Sequence, residues 1–280
     1  MKSLLLFLLL PLTLNAAEPD INSLVQAEKD FSKLSVEKGI KDSFVVNFSD
    51  DAIIFRPTPV AGKKWYEGRP PTAGVLSWQP VLSEIAASGE LGYNTGPYEY
   101  REKADAKPVG YGEFFSFWKR QADGKWKVVF DHGCEHSMPV NEVKLEAIVS
   151  QSKSADSKND DIAMLMQIDQ KFSQLSKEQG TQKAFAQFLA QKTRVLRPQL
   201  FPESNRDKAL AVVAQEKGTL TWEPSGGDIA KSGDLGYTYG LSQRNVDGKI
   251  EKGNYVRAWR RENGDWKVAL DVMTPFPAEK

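Results

Sequence analysis

Cysteine is almost missing from this chain: Cys134 is the only one in 280 residues, which excludes an intrachain disulfide. Apolar cores alone must hold the fold. An excess of charge is missing too. The 37 Lys and Arg residues balance 37 Asp and Glu, which argues against nucleic acid or an anionic membrane surface as a partner. Beyond residue 17 no apolar run is long enough to read as a membrane helix.

What stands in residues 1–17, MKSLLLFLLLPLTLNAA, is a basic Lys2, an apolar run broken by Pro11, and the small residues Ala16 and Ala17. That order is the order of a secretory signal peptide. No cysteine follows to take a lipid, so the expectation is a periplasmic or secreted protein with no membrane anchor after cleavage. Cleavage removes Lys2 and leaves 36 basic against 37 acidic residues, a formal charge of −1.

The rest of the chain repeats itself. Phe31, Leu34, Gly39, Phe44, Arg56 and Pro57 meet Phe172, Leu175, Gly180, Phe185, Arg197 and Pro198 at a constant offset of 141. Trp78 and SGELGY at 88–93 match Trp222 and SGDLGY at 232–237 at 144, and GKWKVVFD at 124–131 returns as GDWKVALD at 264–271. The expected organisation is a signal peptide (1–17), a first domain (18–137), a Ser, Lys, Asp and Asn-rich linker (138–160) and a second domain (161–277).

Each copy opens with apolar residues at helical spacing: Leu24, Ala27, Phe31 and Leu34, then Leu165, Ile168, Phe172 and Leu175. Gly39 and Gly180 mark the helix ends. Second helices are expected near 41–48 and 181–190, followed by strands ending in Arg-Pro and, in the first copy, by strands near 78–87, 90–102, 110–121 and 125–134. Helices first and an antiparallel meander after them make the class α+β. On the closing strand Trp126, Val128 and Phe130 alternate with Lys125, Lys127 and Asp131, which assigns Asp131 to the face away from the core.

The order of helix, Arg-Pro strand, GKKWYEGR at 62–69, DLGYTYG, GNYVRAWRRENGDWKV and a final Asp resembles the SnoaL-like branch of the nuclear transport factor 2-like superfamily, which includes ketosteroid isomerase. That resemblance implies two tandem cones, each with N-terminal helices on a strongly curved antiparallel sheet and a pocket at the open end. It also implies sheet-face pairing, as an internal pseudo-dimer or a homo-oligomer. The implied role is binding a small apolar or amphipathic molecule, without a cofactor. The alternatives are an enzyme of the isomerase, cyclase or hydrolase kind and a sheet-mediated interaction module.

His132 continues the Phe130 face and is the candidate acid or base, with Tyr98 or Tyr100 as donor partner. Trp65, Tyr66 and Trp78 are candidate walls for a flat ligand, with Trp222 as a counterpart in the second copy. Arg56 and Arg197 have two readings, a structural pair with the carboxylate that ends the last strand or a clamp on an anionic ligand. His132, Cys134 and His136 fall on one side of a strand, yet no second ligand pair matches them, and no metal site is assigned. Ketosteroid-isomerase chemistry is not carried over, because no acidic residue is assigned to the interior.

Overall fold

The computed structural model describes residues 19–137, 144–150, 161–202 and 204–277. The signal-peptide reading and most of the linker lie outside the described residues. Helix α1 (Ile21–Lys38) is capped by Asp20, whose side chain accepts from the Ser23 N–H, and it stops at Gly39 with φ of 88°. Short α2 (Ile40–Asn47) then feeds β1 (Phe48–Phe55). β2 (Pro59–Ala61) and α3 (Gly62–Glu67) follow, and this third helix was not anticipated from the sequence.

The expected strand at 78–87 is two strands, β3 (Val75–Trp78) and β4 (Leu82–Ile85), with Pro80 between them. The meander continues through β5 (Leu91–Arg101), β6 (Gly110–Arg120) and β7 (Trp126–His136). Residues 146–149, inside the span read as linker, form β8 (Glu146–Val149) parallel to β4.

The second copy repeats the plan with α4 (Ile162–Gln179), α5 (Thr181–Phe188) and β9 (Leu189–Leu196). Then come α6 (Arg206–Ala214), β10 (Thr219–Ile229), β11 (Leu235–Val246), β12 (Lys249–Glu262) and β13 (Asp265–Pro275). The first sheet runs β2-β1-β7-β6-β5-β4-β8 with β3 also paired to β5, and the second runs β10-β11-β12-β13-β9. The protein is thus α+β, two tandem units of helices on a curved sheet.

In each unit the long helix lies in the concave face of its sheet. Phe31 and Phe172 are buried there, with Trp118 and Trp259 beneath them. Gly92 and Gly236 face Leu24 and Leu165 so closely that a Cβ would stand 2.5 Å and 3.0 Å from those side chains. The repeated glycine is what lets the helix seat on the strand.

The outer faces of the two sheets pack on each other. Phe55, Tyr93, Phe115, Phe117 and Phe130 from the first unit share one apolar core with Leu196, Tyr237, Val256 and Leu270 from the second. Phe117 stacks on Tyr237 at 4.4 Å. Around this seam the polar contacts come in matched pairs, as an isologous interface requires. The Ala87 N–H donates to Asp234 at 2.9 Å, and the equivalent Lys231 N–H donates to Glu90 at 2.6 Å. Ser88 meets its own equivalent, Ser232, at 2.7 Å. Lys119 pairs with Asp228, and its counterpart Arg260 pairs with Glu84.

Candidate functional site

A bulge decides which side chains enter the first cone. Phe117 faces Phe130 across the β6–β7 ladder, but Trp118 faces Val128, so Val129 is an extra residue. One extra residue reverses the alternation beyond it. Val128 packs with the helix inside the cone, Phe130 packs in the seam, and Asp131, expected on the outer face, turns inward to line the cavity. The second unit repeats the bulge at Ala269 and turns Asp271 inward.

A second carboxyl waits there in each unit. Glu28 on α1 is fully buried and accepts hydrogen bonds from Trp78 Nε1 (2.6 Å), Asn94 Nδ2 (3.0 Å), Ser116 Oγ (2.5 Å) and Trp118 Nε1 (2.6 Å). Asp169 on α4 takes the same place and accepts from Trp222 Nε1, Thr238 Oγ1, Tyr255 OH and Arg257 Nη1, each at 2.7 Å. The expectation that no acidic residue is assigned to the interior is therefore overturned in both units.

The units part at one position. In the second, Arg257 of β12 stands opposite Asp271 and pairs with both Asp169 and Asp271. Burial pushes the Asp271 carboxyl upward, but Arg257 and Arg197 outweigh it and hold the group below the usual carboxylate range. The first unit has Ser116 at the equivalent place, opposite Asp131. Among the described residues no ion pair includes Asp131. Burial, together with the nearby Glu28 carboxyl, pushes Asp131 up to about 8 against a weaker pull from Arg56. Burial likewise raises Glu28 despite its four donors.

Ser116 is itself buried against Glu28, and the space in the first unit opens in front of Asp131. A cavity of about 700 Å³ is lined by Arg56, Tyr66, Trp78, Tyr98, Tyr100, Phe114, Asp131 and His132 among others. Six of the nine sequence-based site residues thus meet in one space. Trp65 does not line it; its ring lies between the Arg56 guanidinium at 4.3 Å and that of Arg69 at 3.7 Å. Arg56 donates to the Phe55 carbonyl (2.6 Å) and Tyr66 OH (3.4 Å), and among the described residues no ion pair includes it.

The remaining two residues sit apart, in the second unit. Arg197 is buried, pairs with Glu216 (2.5 Å) and Asp271 (2.7 Å), and lines the second cone's own cavity of about 620 Å³, where Leu220, Ser242 and Arg244 stand for Leu76, Tyr98 and Tyr100. Trp222 is a core residue, 5% exposed and packed on the Arg257 guanidinium at 3.9 Å.

His132 follows the reversed alternation to the seam side, where its Nε2 lies 3.0 Å from Thr274 Oγ1 of the second unit. Because Thr274 donates its only hydroxyl proton to Asn254 Oδ1 (2.5 Å), the imidazole is the donor to Thr274. Burial and then Arg56 push His132 down to about 3, so it stays neutral across the physiological range. Burial pushes the Cys134 thiol up to about 12, and buried His136 lies 3.6 Å from Glu113 Oε1. Among the described residues no group of three or more His, Cys, Asp or Glu side chains is placed to hold a metal ion.

Glu28 is the functional candidate that sequence reasoning missed. Its signal was available: an acidic residue stands at 28 and again at 169, between the apolar positions of both helices and at the same offset of 141.

No protein-family model matches the chain, and no curated protein matches it. Solved structures do. An NTF-2 like protein of unknown function from Shewanella oneidensis MR-1 is 12% identical, with 40% of this chain and 97% of that one aligned at a TM-score of 0.35. A ketosteroid isomerase-like protein from Erwinia carotovora atroseptica SCRI1043 is 10% identical, with 41% and 95% aligned at 0.36. A putative calcium/calmodulin dependent protein kinase II association domain from Xanthomonas campestris is 12% identical, with 42% and 88% aligned at 0.34. The solved structures to which this chain is similar are thus NTF2-like and ketosteroid isomerase-like proteins, each aligned over about two fifths of its length.

Proposed function

We infer that the first unit binds a small organic molecule in its cone cavity and that the second unit is an internal partner that keeps the sheet covered. One observation carries this reading: Arg257 neutralises both inward carboxylates of the second cone, while the first cone has Ser116 at that place and keeps the Asp131 carboxyl on the wall of an aromatic cavity. A cavity of that volume walled by aromatic rings, with a few convergent polar groups, is the usual form of a small-molecule site. The leader-like residues 1–17 support an exported location for this binding.

The apolar sheet faces that an interaction module would offer are packed against each other. A catalytic reading has one observation in its favour, Asp131, whose carboxyl at about 8 changes protonation near neutral pH on the wall of an aromatic cavity. In an isomerase, cyclase or hydrolase of this kind Asp131 replaces His132 as the acid or base.

Ser116→Arg tests the binding reading, because it copies into the first cone the side chain that the second cone already accommodates. Native mass spectrometry of protein taken from its exporting host is expected to show a co-purifying compound on the wild type and none on the variant. A compound retained by Ser116→Arg would place the site elsewhere.

A further inference from the structure

The second cone shows in detail what the first one lacks. The Arg257 guanidinium lies 3.9 Å from the Trp222 ring centre, 4.6 Å from that of Tyr255 and 4.7 Å from that of Phe172, with Asp169 and Asp271 on its nitrogens. This is an aromatic box closed by two carboxylates, the surroundings that suit a planar, delocalised cation. The first cone keeps the box. Trp78, Phe114 and Phe31 are the equivalents of the three rings, and their spacings are nearly unchanged. Trp78 and Phe114 stand 6.2 Å apart, as do Trp222 and Tyr255; Phe31 and Trp78 stand 4.7 Å apart against 4.6 Å for Phe172 and Trp222.

The carboxyls are kept as well. Glu28 is one methylene longer than Asp169 and reaches back to Ser116 and Trp118, so it takes up part of the space that the arginine stem would occupy. The open part lies in front of Asp131, Trp78 and Phe114, which all line the cavity. Beyond them Tyr98, Tyr100 and Tyr111 continue the aromatic wall.

We propose that the first cavity takes an organic cation, a guanidinium or amidinium group on a flat apolar body, whose charged end sits against Asp131 between Trp78 and Phe114 as Arg257 sits in the second unit. The proposal rests on the binding reading above and adds the ligand's charge and shape to it. The cation supplies from outside the charge that Arg257 supplies from within, and its body lies along the tyrosines toward the mouth. Arg56 is the competing charge near Asp131; it is exposed and held over Trp65, with no carboxylate partner among the described residues. A ligand with an anionic end would seat at Arg56 instead, with its charge turned away from Asp131.

Three probes of one size separate these cases: benzamidinium, neutral benzamide and anionic benzoate, each titrated calorimetrically into the full chain at pH 8. The expected result is benzamidinium binding at least tenfold more tightly than either of the others. Ser116→Arg should abolish it, and Asp131→Asn should weaken it at least tenfold while leaving benzamide unchanged. The Asn variant adds no bulk, so it decides the matter if the Arg variant fails to fold. Benzamide or benzoate binding as tightly as benzamidinium, and lost in Ser116→Arg, would overturn the cation and leave the cavity reading intact. No binding by any of the three up to millimolar concentration would overturn both.

Discussion

Asp131→Asn is the perturbation that reads the open cone most directly, because it removes the charge without changing the shape. Asp131 titrates near 3.8 when unfolded and about 8 in the fold. The folded-state value is raised, so between those limits the folded protein holds a proton that the unfolded chain has released, and stability falls as pH rises. At about 1.4 kcal/mol per unit, the full shift sets a ceiling of about 6 kcal/mol, reached at pH 8 and constant above it. The carboxyl faces an open cavity and is only part-buried by exposure, so water there screens it, and about 2–3 kcal/mol is the reasonable expectation. Asparagine cannot ionise. The difference in unfolding free energy between variant and wild type should therefore be near zero at pH 4.5 and grow to that value by pH 8.5, in favour of the variant. Urea denaturation at five pH values measures it, and other titrating groups cancel in the difference. Two parallel pH profiles would show that Asp131 ionises in the fold as it does in water, and the account of the open cone would fail.

The other expectations concern the second cone and the seam. Arg257→Met leaves Asp169 and Asp271 buried with one cation fewer, and should cost about 3–5 kcal/mol in urea unfolding; a loss below 1 kcal/mol would mean that Arg257 is not what holds those two carboxylates in the core. Phe117→Ala removes a fully buried ring from between the sheets and should cost about 3–5 kcal/mol. The same variant should keep one calorimetric transition for both units, and two resolved transitions would show that the seam does not couple them. Lys119→Ala breaks a pair whose side chains are 39% and 31% exposed, so a change of only about 0.2–1 kcal/mol is expected, shrinking as salt is added.

The offset of 141 between Phe31 and Phe172, the glycines at 39 and 180, and the repeated closing strand were enough to show two α+β units, because periodicity and helix-ending glycines are local properties of a chain. Tyr66 and Trp78, read from the sequence as walls for a flat ligand, line the first cavity and Trp65 does not; Tyr98 and Tyr100, read as donor partners of His132, line it as well. The site's charge was not legible. Strict alternation sends Asp131 outward, and only the extra residue at Val129, visible in the pairing of β6 with β7, turns it into the cone and His132 into the seam. A bulge is a property of two strands in register, so one strand's sequence does not reveal it.

Glu28 and Arg257 were overlooked in the same way. Burying a charge is costly, and composition rules place it outside until its partners are known. Those partners come from helices and strands 50 to 90 residues away, as Trp78 and Trp118 do for Glu28. Sequence by itself determined that the chain makes one architecture twice. Tertiary structure alone decided that the copies differ where it matters, since the exchange of Ser116 for Arg257 acquires meaning only when both are seen facing two inward carboxyls.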